Sequence, residues 1–177
     1  IILSLKDKKN LSKSESFYIS EKMFEGALSD SDIKDILILL NEKGISTAEV
    51  VGFARAMRKI STKVSIDEKV IDCCGTGGDG LNTFNISTCS AFIAAATGAK
   101  VAKHGNKAIT SKSGSADLLH DAGAKLDLSP EQVSDCIKNI NFGFMFAPLH
   151  HKAMKNVAES RKTIAPNKTI FNMLGPC

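Results

Sequence analysis

The amino-acid sequence predicts an α/β fold preceded by an all-helical N-terminal domain, with a mainly parallel sheet flanked by helices. Apolar residues recur with helical spacing up to about residue 62, and from about residue 65 short apolar runs alternate with helical segments. Alternating strands and helices indicate βαβ units, which build parallel sheets. We expect a helical cap or dimerisation domain over residues 1–64 and an α/β domain over residues 65–148. Residues 149–177 should form a helical connection that packs near the helical domain.

The helical domain is predicted from three amphipathic segments. The first covers residues 14–25, and the second begins at Ser31 and ends before Gly44. The second carries an apolar stripe with i, i+3, i+4, i+7 spacing: Ile33, Ile36, Leu37 and Leu40. Ser46 followed by Glu49 is a capping box that opens a third helix, residues 50–60.

The α/β domain is predicted from short β runs that alternate with capped helices. The expected strands are residues 69–73, 100–103, 125–128 and 142–146. The expected helices are residues 91–97, 116–121, a segment that opens at Ser129-Pro130, and 151–161. Residues 169–174 fit a helix or a strand equally well. Ligands of parallel sheets bind at the carboxyl ends of the strands, so loops that follow these strands are the expected site.

Composition limits the class of protein. With 43% hydrophobic residues and a net charge of +4, the 177-residue chain can build a core and favours a phosphorylated substrate over nucleic acid. No apolar run reaches the roughly 18 residues of a membrane span. Five cysteines without zinc spacing, two of them adjacent (Cys73 and Cys74), indicate reduced thiols and a cytoplasmic location.

Three polar, glycine-containing loops fall within residues 72–115 and predict a site for a sugar that carries several phosphates. The first loop, Gly75 to Gly80, offers backbone amides that could wrap a diphosphate. Ser87 and Thr88 open a helix, whose N-terminus attracts an anion or its metal. Lys103 and Lys107 add positive charge. Asp79 would hold a sugar hydroxyl or Mg²⁺, or would instead cap the amides of its own loop.

Other interpretations of these loops are weaker. Gly75 to Gly80 formally fits the dinucleotide pattern G-x-G-x-x-G, but the next strand ends in Lys103-His104 rather than in an acidic residue. No Gly-Lys-Ser/Thr follows Gly80, which excludes a P-loop. Two alternative functions remain: a pyrimidine nucleoside phosphorylase, and a non-catalytic protein that binds nucleic acid at this site. The alternative without a function is that these loops are mobile surface turns.

The motifs resemble those of the anthranilate phosphoribosyltransferase family over nearly the whole chain. The residues that carry the resemblance are Gly75-Thr76-Gly77-Gly78-Asp79-Gly80, Thr83-Phe84-Asn85-Ile86-Ser87-Thr88, Lys103-His104-Gly105-Asn106, Ser113-Gly114-Ser115-Ala116-Asp117 and Thr169-Ile170-Phe171-Asn172-Met173-Leu174-Gly175-Pro176. The resemblance implies transfer of phosphoribose from phosphoribosyl pyrophosphate (PRPP) to the amine of anthranilate, in tryptophan synthesis. It implies no catalytic acid or base, and Cys73 and Cys74 are expected to pack rather than to act as nucleophiles.

The resemblance also assigns roles to residues. Expected PRPP contacts are Gly75, Gly78, Asp79, Thr83, Asn85, Ile86, Ser87, Thr88, Lys103, His104, Gly105, Asn106, Lys107, Ser111 and Ser115. Expected anthranilate contacts are Gly75, Asn106, His151 and Arg161. Ser87 is the expected ligand of Mg²⁺, the implied cofactor.

The resemblance further implies a homodimer formed through the N-terminal helices, and allows a fused or associated glutamine amidotransferase (anthranilate synthase). The family's chain continues past the Leu-Gly-Pro motif, here Leu174-Gly175-Pro176, and its further part supplies more strands and acidic Mg²⁺ ligands. We therefore expect the sequence to be truncated and an isolated 1–177 fragment to be inactive.

Overall fold

The structure, a computed structural model, describes residues 1–75, 84–108 and 113–176. It divides into two compact units, one formed by residues 1–61 with 151–177 and the other by residues 62–150. The predicted fold class is confirmed, because a helical N-terminal part precedes an α/β part with a parallel sheet. Within the described ranges, no helix is long and apolar enough to cross a bilayer.

The first unit is helical. Its α-helices are α1 (Ile2–Lys6), α2 (Lys13–Phe24), α3 (Asp30–Lys43), α4 (Thr47–Ile60) and, after the second unit, α9 (Lys155–Ile164). Short 3₁₀ turns cover Lys152–Met154 and Ile170–Asn172, so the ambiguous segment 169–174 is neither a regular α-helix nor a strand. The predicted apolar stripe of α3 is fully buried in the core of this unit.

Capping residues set the boundaries of these helices. Ser46 and Glu49 form the predicted capping box of α4, with the Glu49 amide 3.4 Å from Ser46 Oγ and the Ser46 amide 2.8 Å from Glu49 Oε2. Ser29 caps α3, so that helix begins one residue before the predicted Ser31. Gly44 ends it with φ of 86°, a left-handed backbone that favours glycine.

The second unit is built on parallel strands. Its α-helices are α5 (Ile86–Ala96), α6 (Ser115–Asp121), α7 (Pro130–Ile140) and α8 (Ala147–His150), and its strands are β1 (Val101–Gly105) and β2 (Phe142–Phe146). β1 and β2 pair in parallel from Val101 beside Phe142 to Gly105 beside Phe146. On the other side of β1, Ile71 forms an isolated parallel bridge with Val101.

Helices cover both faces of this sheet. α5 packs on one face through Ala91 and Ala95, which contact Val101. α7 packs on the other face through Val133 and Ile137, which contact Ala102. α7 also lies so close to Gly143 that a Cβ there would be 2.6 Å from the Ile137 side chain. The sheet is therefore sandwiched, which leaves its carboxyl edge for binding.

Two of the four predicted strands, residues 69–73 and 125–128, are not regular strands in the structure. Residues 69–73 contribute only the parallel bridge at Ile71, where the Ile71 amide donates to Lys100 O and the Ala102 amide donates to Ile71 O. Residues 125–128 are not a strand. Leu126 packs on the hydrophobic cluster around Phe144, and Leu128 packs on the cluster around Ala102. The segment therefore contacts the sheet through its side chains but does not join its backbone hydrogen bonding.

Candidate functional site

The carboxyl edge of the sheet gathers the polar loops. After Ile71 the chain enters the first loop at Asp72, and after Gly105 it enters the second loop at Asn106. Backbone hydrogen bonds from the Ile71 amide to Lys100 O (2.9 Å) and from the Ala102 amide to Ile71 O (2.9 Å) hold these two segments side by side. Because they run in parallel, both loops leave from the same edge.

The start of α5 closes the first loop. Asn85 occupies the N-cap position, and its side chain does not bond the first turn but donates from Nδ2 to Gly114 O at 3.3 Å. Ile86 and Ser87 have exposed side chains, and Thr88 is buried. Among the described residues the Ser87 amide has no acceptor, whereas the Thr88 and Cys89 amides both donate to Asn85 O. Ser87 therefore offers a hydroxyl and an amide at a positive helix end.

Asp117 ties the second and third loops together. Its Oδ2 accepts hydrogen bonds from the amides of Ala108 (2.7 Å) and Gly114 (2.8 Å). These two bonds hold the pKa of Asp117 below its usual range. Ser115, the first residue of α6, adds a bond from Oγ to Asn106 O at 3.4 Å. Asp117 and Ser115 thus join the two ends of the described loop segments, residues 106–108 and residues 113–114.

Two glycines allow this close packing. A Cβ on Gly114 would lie 2.5 Å from the Ala108 amide nitrogen and 2.6 Å from Asn106 O, so only glycine fits between these backbones. A Cβ on Gly105 would overlap Ser115 Oγ. The backbone atoms around Gly114 therefore require glycine at that position, which differs from the turn-forming role that glycine plays in a left-handed backbone.

Lys103 brings positive charge to the edge. It lies in β1 with only 2% of its surface exposed, and it has no acidic partner among the described residues. Buried charges in proteins are normally paired, so an ammonium in this position suits an anionic ligand. Lys107 and Asn106, just beyond β1, are exposed, and Asn106 Oδ1 accepts from the Lys107 amide at 2.8 Å.

His104 is held by an acidic neighbour. Its Nδ1 contacts Oδ2 of Asp72 across the sheet. The hydrogen bond with Asp72, followed by one with Cys74, raises the pKa of His104 to about 10, although partial burial opposes this. Cys73 is on the α5 face instead, where its Sγ donates to Ser87 O at 3.4 Å. Cys74 Sγ donates to the carbonyl oxygen of Gly75, which is exposed, at 3.3 Å.

The two predicted anthranilate residues of the C-terminal segment belong to the other compact unit. Arg161, on α9, stacks its guanidinium 5.3 Å from the centre of the Phe171 ring, and burial lowers its pKa. Its Nε is buried and has no hydrogen-bond partner in the described ranges. His151 precedes the 3₁₀ turn Lys152–Met154 and is half-buried.

The described site residues of the second unit converge on one edge, through the Asn85–Gly114, Ser115–Asn106 and Asp72–His104 contacts. Four predicted residues, Gly78, Asp79, Thr83 and Ser111, lie outside the described residues. Asp72 and Asp117 were not predicted as site residues. Asp117 follows Gly114 at capping-box spacing, a usable signal, whereas the pairing of Asp72 with His104 depends on strand register.

A metal site formed by protein carboxylates alone is absent from the described ranges, where no three His, Cys, Asp or Glu residues cluster. Mg²⁺ commonly takes few protein ligands together with substrate phosphates and water. The exposed Ser87 hydroxyl beside an open helix N-terminus fits such a mixed site as one neutral oxygen ligand.

The chain thus combines a helical unit with an α/β unit whose polar loops follow the carboxyl ends of parallel strands. Residues 67–177 match the a/b domain of the glycosyl transferase family, and residues 1–61 match the helical bundle domain of that family. The chain belongs to the glycosyl transferase family.

Its relatives are anthranilate phosphoribosyltransferases, as the motifs predicted. The protein of that name from Hydrogenovibrio crunogenus is 48% identical over 174 residues, and that from Pelagibacter ubique is 51% identical over 172 residues. Each alignment covers 97% of this chain but only 51% and 52% of the relative. The chain therefore spans about half the length of the curated relatives it matches.

Solved structures agree with this similarity. The anthranilate phosphoribosyltransferase of Thermus thermophilus superposes with a TM-score of 0.92 at 37% identity, over 99% of this chain and 53% of that one. The enzyme from Saccharomyces cerevisiae in complex with PRPP and Mg superposes with a TM-score of 0.85 at 30% identity, over 99% and 54%.

Proposed function

We propose that this chain is part of an enzyme that transfers the 5-phosphoribosyl group from PRPP to the amine of anthranilate and releases pyrophosphate. The reaction would serve tryptophan biosynthesis, in the cytoplasm. Support comes from the family, from relatives about 50% identical, and from a related structure that holds PRPP and Mg.

The observation that carries the proposal is the convergence of donors and cations at one sheet edge. Lys103 is buried beside loops that are tied together by Asn85, Asp117 and Ser115. In this setting the nearby Ser87 amide and hydroxyl are unused by the described residues. A ligand with several phosphate oxygens would satisfy all these groups together.

The proposed residue roles divide into contacts with PRPP and contacts with anthranilate. The PRPP contacts would be Gly75, Gly78, Asp79, Thr83, Asn85, Ile86, Ser87, Thr88, Lys103, His104, Gly105, Asn106, Lys107, Ser111 and Ser115. Gly75, Asn106, His151 and Arg161 would contact anthranilate. The role of Arg161 rests on its chemistry, because a guanidinium pairs well with a carboxylate.

The proposed chemistry needs no strong acid or base from this chain. Loss of the leaving group leaves positive charge at C1 of the ribose, as in glycoside cleavage. Cations and amides at the sheet edge would stabilise the departing diphosphate electrostatically. Holding the aryl amine near C1 supplies proximity, which lowers the barrier by removing motion from the reacting pair. Bound Mg²⁺, with Ser87 as one ligand, would neutralise diphosphate charge.

The proposal is tested by the loss of anthranilate fluorescence on addition of PRPP and Mg²⁺. The full natural chain that contains this sequence should consume anthranilate. Lys107→Gln removes an exposed cation and should lower kcat/KM about 10-fold, the effect of losing roughly 1.4 kcal/mol of transition-state binding. Lys125→Gln, an exposed lysine away from the loops, is the matched control and should keep full activity.

The 1–177 fragment is assayed in parallel and is expected to be inactive. No consumption by the full chain, together with DNA binding that weakens steeply with salt, would reject the transferase and favour a nucleic-acid-binding relative. Equal loss in both lysine variants would argue against the loop site.

We also propose that the helical unit pairs with a second copy of the chain. An open groove of about 600 Å³ lies among its helices, lined mostly by apolar residues: Ile1, Ile2, Leu3, Tyr18, Ile19, Leu28, Asp32 and Ile36. Leu3 is 78% exposed and Tyr18 is 55% exposed. Apolar side chains exposed together in this way favour an interface.

A further inference from the structure

Asp72 and His104 lie on one face of the sheet, at its carboxyl edge. The bridge between Ile71 and Val101 sets the register, so Asp72 stands beside Ala102 and His104 is two residues further on the same face. A diagonal neighbour at this spacing is within reach of a long side chain. The Asp72 carboxylate meets Nδ1 of His104 accordingly.

The surroundings of His104 leave few charges that could act on it. α7, which covers this face, contributes the apolar side chains of Val133 and Ile137. β2 contributes Met145 beside His104. Within the described part of the chain, the titratable groups that act on the ring are Asp72 and Cys74.

We propose that Asp72 is a positioning residue, which fixes the ring of His104 through Nδ1 and keeps it positively charged at the edge that would bind the phosphorylated substrate. This inference rests on the proposed function. The Asp72 carboxylate would by itself repel a phosphate. Paired with His104, its negative charge is balanced by the imidazolium, whose ring it holds in a fixed orientation.

The consequence concerns pH. With the pKa of His104 at about 10, the ring stays protonated through the neutral range, and its contribution to anion binding is constant there. Without the Asp72 charge, the pKa should fall toward the ordinary value of about 6.5. The ring would then lose its proton between about pH 6 and pH 8, and affinity for an anion would fall over the same interval.

The first measurement follows the ring itself and needs no substrate. In the full natural chain with ring-labelled histidine, the NMR signal of His104 is assigned by its loss in His104→Gln. Its titration midpoint should lie above 8 in the unmodified chain, and Asp72→Asn should lower it to between about 6 and 8. Asp127→Asn, an exposed carboxylate elsewhere in the same unit, should leave it unchanged.

The second measurement is calorimetric binding of PRPP with Mg²⁺ to the same chains at pH 6 and pH 8. Titration of the ligand affects every chain equally, so each variant is compared with the unmodified chain at the same pH. For Asp72→Asn, the affinity relative to the unmodified chain should be about 10-fold lower at pH 8 than at pH 6. For Asp127→Asn, this relative affinity should be the same at both pH values. In the double variant Asp72→Asn/His104→Gln the pH dependence of this ratio should vanish.

The outcomes separate the inference from the function. A midpoint below 8 in the unmodified chain, or one that stays above 8 in Asp72→Asn, overturns the pairing. A shifted midpoint with a pH-independent affinity ratio overturns the positioning role. No binding of PRPP by any chain, with the midpoint shifted as expected, rejects the proposed function and with it the role, while the pair itself stands.

Discussion

Glu49 is a fully buried carboxylate in the helical unit and carries more than its capping function. Its oxygens accept from Lys43 Nζ (2.7 Å) and from the amides of Leu11 (2.8 Å) and Ser46 (2.8 Å). Burial by itself would raise the pKa of Glu49, but these hydrogen bonds outweigh it and the pKa is lowered. One side chain thus joins the loop before α2, the end of α3 and the start of α4.

Replacing Glu49 by Gln should destabilise the chain by about 3 kcal/mol at neutral pH, because the Lys43 ammonium would stay buried without its counter-charge. Denaturant unfolding of the full natural chain measures this. Glu42→Gln, an exposed neighbour on α3, should change stability by less than about 0.5 kcal/mol.

The sign of the pH dependence follows from the lowered pKa. Stability from the Glu49 carboxylate is present above its unfolded-state pKa and is lost as pH falls through the lower folded-state value. The difference between the parent chain and Glu49→Gln should therefore shrink in acid. A constant difference down to about pH 2 would contradict the ionic account.

At the scale of elements, the loop after β1 and the start of α6 are held together by hydrogen bonds and close backbone packing. Asp117 binds the amides on either side of the intervening residues, and Gly114 sits against the backbone of residues 106–108. The backbone of Gly114 itself is ordinary, with φ of −89°. The requirement for glycine here comes from its neighbours.

Gly114→Ala should force these two backbones apart and lower PRPP affinity at least about 10-fold, since small displacements of binding groups are costly. Calorimetric binding by the full natural chain measures the loss. Gly123→Ala is the matched comparison, because Gly123 ends α6 with φ of 83° and open space around it. It should lower stability by about 1 kcal/mol and leave affinity unchanged. The same affinity in both variants would show that this packing does not shape the site.

At the scale of the whole molecule, the exposed apolar groove bears on assembly. α1 presents Leu3 to solvent as part of the groove lining, while Leu5 on the same helix is buried in the core. A helix that is apolar on both an inner and an outer side favours a partner on the outer side.

Leu3→Glu should convert a dimer of the full natural chain into a monomer, because a carboxylate would be buried in an apolar interface. Light scattering after gel filtration gives the mass directly. Met173→Glu, at a residue 47% exposed and outside the groove, should leave the dimer intact. A monomer in the unmodified chain would reject the proposed pairing.

Local sequence rules located most elements. The capping box of Ser46 and Glu49, the Ser129-Pro130 start of α7, and the stripe of α3 were predicted from side-chain spacing and are confirmed. Those signals act within one or two helical turns, so they can be recognised without tertiary structure. The strands were predicted less well, because whether 125–128 joins a ladder depends on which backbone lies beside it.

The sequence by itself determined the class of the fold and the family, because these depend on residue types at fixed spacing. Only the tertiary structure decided which groups meet. It buried Lys103, paired Asp72 with His104 and gave Glu49 a second role beside Lys43. These contacts join segments distant in the chain or set by strand register. Their energies come from burial and charge pairing, which no local pattern encodes.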